Sequence, residues 1–310
     1  MSGTGGTGGT GGTSGTDGEA DVERPRVPRG RHLWLDGRGR TFVRELAGPA
    51  GAPTLVLLHG WTATADLNWW TSYGPLAEHF HVVAVDHRGH GRGLRSPEPF
   101  RLEQCADDVA ALAAALGRDR IVPVGYSMGG PIAQLVWRRH RDLVDGLVLC
   151  ATSATFQGTP RERCLSGVAT GTSVLAGAVP LGRLTSAALG KWTGWRDRRE
   201  SAWWGFEEVG RHDWAQILEA GREVLRFDSR QWVGGIDVPT SVVVTDDDRV
   251  VPTHRQRALA AAIPGSTEWS VHGGHAVCTT SPERFVPALL AACRRAAGTE
   301  AAAAGTLAAA

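Results

Sequence analysis

The stretch Ile121-Val-Pro-Val-Gly125-Tyr126-Ser127-Met128-Gly129-Gly130-Pro131-Ile-Ala-Gln-Leu-Val-Trp-Arg-Arg-His140 decides the fold. Its first five residues are a short apolar run, the pattern of a strand buried on both faces. From Pro131 to His140 the apolar positions recur at helical spacing. Between the two lies Gly-x-Ser-x-Gly, the spacing of a nucleophile elbow. A strand that turns sharply into a helix must lift Ser127 on a strained turn. Small residues two positions away on either side keep that turn free of collisions. The hydroxyl then sits beside a helix N-terminus, where developing negative charge is favoured.

Outward from this motif the chain alternates strand and helix. Arg31–Leu35 and Thr41–Leu46 read as a hairpin closed at Asp36-Gly37. Apolar runs at Thr54–Leu58, His81–Asp86, Val144–Cys150, Ser241–Thr245 and Glu268–Val271 are further strands, while Leu102–Leu116 and Ser281–Arg294 have helical periodicity. Such βαβα alternation implies a mostly parallel central sheet flanked by helices. Residues 155–230 break the alternation. They are rich in Trp (Trp192, Trp195, Trp203, Trp204, Trp214) and are expected to form a helical cap inserted between late strands, over the carboxyl edge of the sheet. The organisation expected is a core of residues 31–154 and 231–295, a cap of 155–230, a Gly/Thr-rich and Arg/Pro tail over 1–30 and an Ala-rich tail over 296–310.

Composition narrows the chemistry. The 310 residues hold 33 Lys and Arg against 32 Asp and Glu, a net charge of +1, which argues against a nucleic-acid binder. Five widely spaced cysteines form no Cys-x-x-Cys pair, so neither a zinc ribbon nor a disulfide framework is expected, and a reducing, cytoplasmic location is the simplest expectation. The uncharged stretch from Leu165 to Gly182 is too rich in Gly, Ser and Thr, and holds Pro180, to be expected as a membrane span. The sole lysine, Lys191, stands in Gly-Lys-Trp rather than in a phosphate-binding loop, and no Gly-x-Gly-x-x-Gly opens a helix, so no cofactor is expected. Asp86, His87 and His90 lie close in sequence, but no further ligand cluster accompanies them and no metal is expected. Asp107 and Asp108 read as solvated or capping residues of a helix.

A serine nucleophile requires a base, and the base an orienting acid. Thr245-Asp246-Asp247-Asp248-Arg249-Val250-Val251-Pro252 offers three acids after one strand, and His272-Gly273-Gly274-His275 offers two bases after the next. No acid stands at Cys150-Ala151-Thr152-Ser153, the other place where an orienting group could be carried.

His59-Gly60-Trp61, Asp86-His87-Arg88-Gly89-His90-Gly91, Gly125–Gly130, Thr245–Pro252 and Gly273–Val277, in that order, resemble the α/β-hydrolase superfamily, most closely its capped bacterial esterase-like serine hydrolases. The resemblance runs from about Arg31 to Arg295. It implies that Ser127 is the nucleophile and that His275, which directly follows a Gly, is the base. It also implies that Asp248 is the acid, with Thr245 where the family usually has Gly. The oxyanion hole is then formed by the backbone N–H groups of Trp61 and Met128. His59 is expected to be a structural hydrogen-bonder. Trp69, Trp70, Tyr126 and Trp203 are expected to contact substrate. Related dehalogenases and epoxide hydrolases use Asp where Ser127 stands, and such epoxide hydrolases carry cap tyrosines, whereas the tyrosines here are Tyr73 and Tyr126. The implied activity is hydrolysis of a small carboxylic ester or related acyl compound. Acyl transfer or perhydrolysis by the same residues, and a non-catalytic receptor of the same fold, are the alternatives.

Overall fold

The computed structural model describes residues 25–157 and 199–299, with side chains of the second stretch from residue 204. The expectations for both tails, for Leu165–Gly182, for Trp192 and Trp195 and for the side chain of Trp203 lie outside the described residues.

The chain enters through a hairpin, β1 (Gly30–Leu35) and β2 (Gly39–Leu46), closed by a turn in which Gly37 takes φ 67°. Next come β3 (Thr54–Leu58), two short helices α1 (Ala65–Trp69) and α2 (Tyr73–Ala77), β4 (His81–Val85) and α3 (Leu102–Ala115). The central unit is β5 (Val122–Tyr126), α4 (Gly129–Arg139) and β6 (Leu147–Cys150). Helices α5 (Arg199–Gly210) and α6 (Trp214–Arg226) follow. The chain closes with β7 (Thr240–Thr245), α7 (Thr253–Ala262), β8 (Thr267–Val271), α8 (Val277–Thr280) and α9 (Pro282–Ala296).

The strands form one sheet in the order β1-β2-β4-β3-β5-β6-β7-β8. The hairpin joins it antiparallel, through β2 against β4, and every pairing from β4 to β8 is parallel. Strands β3, β5, β6 and β7 are buried along their whole length. One face of the sheet packs on α3, α4 and α7, with Val56, Leu58, Val109, Ile132 and Leu259 in a common core. The other packs on α1, α2 and α9, with Leu57, Tyr73, Val124 and Phe285. Burial of branched apolar side chains on both faces is what stabilises a parallel sheet.

The strand expected from Val144 is shorter than its apolar run. Val144 makes an isolated bridge to Ile121, and the ladder resumes only at Leu147. The break is at Gly146, where a side chain would overlap the carbonyl of Ala296. Asp107 and Asp108 are ion-paired rather than solvated: Asp107 with Arg139 and His140, Asp108 with Arg38 and Arg88. The segment between β6 and β7 leaves and returns at one place. Thr155 bridges Asp228, and the Ser229 N–H donates to the Ala154 carbonyl at 2.8 Å. Among the described residues no helix is long and apolar enough to cross a membrane.

Candidate active site

Parallel strands end on one edge of the sheet, and the loops that follow β3, β5, β7 and β8 meet there. The sharpest turn is at Ser127, whose φ of 52° lies in the left-handed region that a residue with a Cβ adopts only under compulsion. Three hydrogen bonds hold it. Its N–H donates to the Cys150 carbonyl at 2.9 Å, and its carbonyl accepts from the Gly130 N–H at 2.9 Å and from the Thr152 hydroxyl at 2.8 Å. The flanking glycines are required by contacts with other backbone, not with the serine side chain. A Cβ on Gly125 would overlap the Gly129 carbonyl, and one on Gly129 would overlap the Leu58 carbonyl of the neighbouring strand. The elbow is thus wedged between β3 and its own helix.

From this turn Ser127 Oγ lies 2.9 Å from His275 Nε2, and His275 Nδ1 lies 2.7 Å from Asp248 Oδ2. Asp248 is buried and richly satisfied. Oδ1 accepts the N–H groups of Val250 and Val251 at 2.8 and 2.9 Å; Oδ2 also accepts the Thr245 hydroxyl at 2.8 Å and a Gln256 amide N–H at 3.2 Å. Burial by itself would raise this carboxyl, but the hydrogen bond and charge of His275, the Val251 amide and the Thr245 hydroxyl outweigh it and hold Asp248 below the usual carboxylate range. Thr245 therefore contributes a hydroxyl donor to Asp248. Asp246 turns the other way, toward His272 Nδ1 at 3.1 Å and the Gly273 N–H, and Asp247 is exposed. His275 is fixed from behind as well: the Tyr126 hydroxyl donates to its carbonyl at 2.6 Å.

The loop after β3 passes beside the serine, with the Cβ position of Gly60 3.3 Å from the Ser127 Cβ. Two buried side chains anchor Gly60. Asn68, on α1, accepts its N–H at 2.9 Å. His59 Nε2 accepts the His87 N–H at 3.0 Å, so its proton is on Nδ1, which donates to the Gly60 carbonyl at 2.8 Å. Neither the Trp61 nor the Met128 amide donates to an acceptor among the described residues. Met128 is at the N-terminus of α4, where the helix adds partial positive charge. This geometry can deprotonate a hydroxyl, stabilise the cation formed on the imidazole and receive negative charge on an oxygen above Ser127.

Two aromatic residues expected to contact substrate are instead core. Trp69 has no exposed surface and Tyr126 almost none; the two rings meet edge to face at 5.9 Å, and both pack on Phe285. A ring without exposed surface cannot meet a ligand, and the apolar inner face of α1 accounts for Trp69. Trp70 is half-buried against the same core. The histidines of the Asp86–Gly91 segment are buried too. Asp86 accepts the N–H groups of Ala65 and Arg92, at 2.8 and 2.9 Å, and so shapes two loops. Among the described residues no group of three His, Cys, Asp or Glu side chains is arranged to hold a metal ion. Asn68 was not legible in the sequence, since nothing in an Asp-Leu-Asn-Trp run tells which side chain turns back to a loop eight residues earlier.

Residues 53–282 match the profile of the family described as alpha/beta hydrolase fold. A putative carbamate hydrolase RutD from Serratia proteamaculans (strain 568) is 30% identical over 252 residues, 77% of this chain and 90% of the relative. A bifunctional esterase/perhydrolase DCH from Acinetobacter calcoaceticus is 37% identical over a shorter stretch of 125 residues, 37% of this chain and 45% of the relative. In three dimensions the chain is similar to the enol-lactonase from Burkholderia xenovorans LB400, with a TM-score of 0.71 at 24% identity, covering 85% of this chain and 99% of that one. The order of the loops, the wedged elbow and these likenesses agree: the chain belongs to the alpha/beta hydrolase fold family and is an enzyme of the hydrolase class.

Proposed function

We propose that this hydrolase is a serine hydrolase that cleaves a small carboxylic ester through an acyl-enzyme. The observation that carries the proposal is the unbroken relay from Ser127 Oγ to His275 Nε2, 2.9 Å, and from His275 Nδ1 to Asp248, 2.7 Å. Ser127 Oγ bonds to the carbonyl carbon while its proton passes to His275 Nε2. Asp248, held ionised, stabilises the imidazolium and fixes the ring. The carbonyl π pair moves onto its oxygen, which the N–H groups of Trp61 and Met128 receive. Each such donor is worth about 2.7–4 kcal/mol to the transition state. Collapse of this intermediate expels the alkoxide, which takes the Nε2 proton and leaves as alcohol. Water then attacks the acyl carbon, gives a proton to His275, and the acid departs as Ser127 regains its hydrogen.

The same steps serve a carbamate, whose carbonyl carbon carries nitrogen in place of carbon. Two curated relatives that span more than three quarters of this chain bear the name putative carbamate hydrolase, which favours that second substrate class. Acyl transfer or perhydrolysis would differ only in what replaces water in the second half-reaction, and the shorter match to an esterase/perhydrolase supports keeping both products in view. Cys105, Cys150, Cys278 and Cys293 are buried and unbridged, which suits a reducing compartment, and we place the enzyme in the cytoplasm. The test is turnover of p-nitrophenyl esters of graded chain length and of p-nitrophenyl carbamates, with and without peroxide or alcohol. Ester or carbamate turnover that disappears in Ser127→Ala with an unchanged circular dichroism spectrum is expected; turnover that survives would refute it.

A further inference from the structure

The loop that carries the Trp61 amide is held from two sides, and only one of them belongs to the sheet domain. On the inside, Asn68 and His59 grip Gly60 alone. The next residues are gripped from the outside by α5, α6 and the turn between them. The Trp61 indole N–H donates to the Ile217 carbonyl of α6 at 2.8 Å, and its ring lies so close to Gly221 that a Cβ there would come within 2.7 Å. The Thr64 hydroxyl donates to Glu208 of α5 at 3.1 Å. Between them, Thr62 adopts φ 62°, a left-handed conformation that a β-branched residue avoids. The Ala63 N–H closes a turn around it on the Gly60 carbonyl at 3.3 Å, but nothing in the sequence of the loop favours a left-handed Thr, so the surroundings must help to hold it.

The group that meets Thr62 is His212. Its Nδ1 accepts the Gly91 N–H at 2.8 Å, so its proton is on Nε2, which donates to the Thr62 carbonyl at 3.1 Å. The ring is boxed in by His90 and Trp214, with centroids 5.4 and 5.7 Å away. The turn that bears it is itself docked on the loop after β4. The Asp213 N–H donates to the Gly89 carbonyl at 2.8 Å, and Arg95 donates to the Arg211 carbonyl at 2.6 Å. A rigid path therefore runs from the core loop at Gly89–Gly91, through the His212 ring, to the backbone one residue after Trp61.

We propose that His212 is a positioning residue for the oxyanion hole: by bridging Gly91 and the Thr62 carbonyl it holds the strained peptide of Thr62 and so aims the Trp61 amide at the substrate oxygen. The described part of the inserted segment, α5, α6 and the turn between them, is then part of the catalytic frame. This role rests on the serine-hydrolase function proposed above.

The experiment compares p-nitrophenyl acetate hydrolysis with inhibition by an aryl trifluoromethyl ketone. In the inhibited enzyme the Ser127 Oγ–carbon bond forms, the proton passes to His275 and the carbonyl pair becomes an oxyanion in the same hole. In His212→Phe, which keeps the ring volume but loses both hydrogen bonds, kcat is expected to fall about 10- to 100-fold with KM within about twofold, because a displaced donor is felt mainly in the transition state. Ketone inhibition weakens by the same factor. His212→Gln, whose side-chain amide offers one donor and one acceptor, stays within about threefold of the parent. Thr62→Gly, which adopts the left-handed conformation unaided, recovers most of the loss when added to His212→Phe. Trp61→Phe keeps the amide and deletes the indole bond to Ile217 together with part of the ring's packing on Gly221, and shows a smaller loss of the same kind even where His212→Phe does not fold. Unchanged kcat in both His212→Phe and Trp61→Phe, a loss carried by KM, or ketone inhibition that stays at parental strength would overturn the proposal. Ser127→Ala separates the two levels: if it keeps both hydrolysis and ketone affinity, the serine-hydrolase function fails, whatever His212 does.

Discussion

Asp248 reaches His275 with one carboxylate oxygen and takes the amides of Val250 and Val251 with the other, so the loop after β7 fixes this carboxylate through contacts that do not involve the histidine. The neighbouring Asp246 points to His272 instead. Removing the charge at one position or the other therefore has very unequal consequences. Asp248→Asn is expected to lower kcat by roughly 10³–10⁴ with little change in KM, because a side-chain amide favours the wrong imidazole tautomer. Asp246→Asn is expected to stay within about twofold, its carboxylate being half-exposed and only weakly coupled. Steady-state kinetics of the two variants check this, and equal losses would contradict the assignment of the acid.

The elbow tolerates no added carbon. Gly129→Ala is expected to cost about 1–3 kcal/mol of stability and to abolish most activity, since the new methyl meets the Leu58 carbonyl, which the sheet cannot move. Gly74→Ala is the control: its Cβ position in α2 has nothing within 4 Å, and about 0.4–1 kcal/mol of stability is gained from the unfolded chain. Chemical denaturation of both variants, at equal m-values, measures the difference.

Four buried histidines govern the pH dependence of stability. His59, His87, His90 and His212 are in ring-to-ring contact beside the loop after β3. Burial pushes all four down: His59 and His90 well below the ordinary value, His87 to about 3 and His212 to about 4. Their unfolded counterparts titrate near pH 6.5, so the unfolded state binds more protons between that pH and the depressed values. The stability they confer is present above pH 6.5 and lost as the pH falls. Asp86 opposes them. Burial raises its carboxyl to about 6, so its contribution is lost as the pH rises through 6. Four groups outweigh one, and the melting temperature is expected to drop from pH 7 to pH 5. Each depressed histidine adds a slope of up to about 1.4 kcal/mol per pH unit. His212→Gln should flatten that slope by one such increment, as read from denaturation curves at half-unit pH steps; a slope unchanged by the substitution would contradict the account.

Much of this architecture was legible in the sequence, for a physical reason. A strand buried on both faces must be apolar throughout, so Thr54–Leu58, Ile121–Gly125 and Ser241–Thr245 announced themselves, and the loops that follow them had to share one edge. Ser127 stood out because Gly-x-Ser-x-Gly lies between a strand and a helix and is followed, in order, by loops that offer an acid and a base. Other parts had no local signal. Helices α1 and α2 are five residues each, too short for a period, and α7, with its run of Thr, His, Arg and Gln, shows little contrast between faces. Trp69 was expected to contact substrate, yet α1 turns it into the core. Asn68, Glu208 and His212 act on backbone or side chains that the fold alone brings near, and no spacing along the chain records such contacts.

The most direct measurement of the central claim is reaction with a fluorophosphonate, followed by mass spectrometry of the digested protein. The account predicts one adduct per chain, on the peptide that carries Ser127, formed slowly or not at all after His275→Ala. A folded enzyme that hydrolyses esters while Ser127 stays unmodified, or that takes the adduct on another serine, would contradict it.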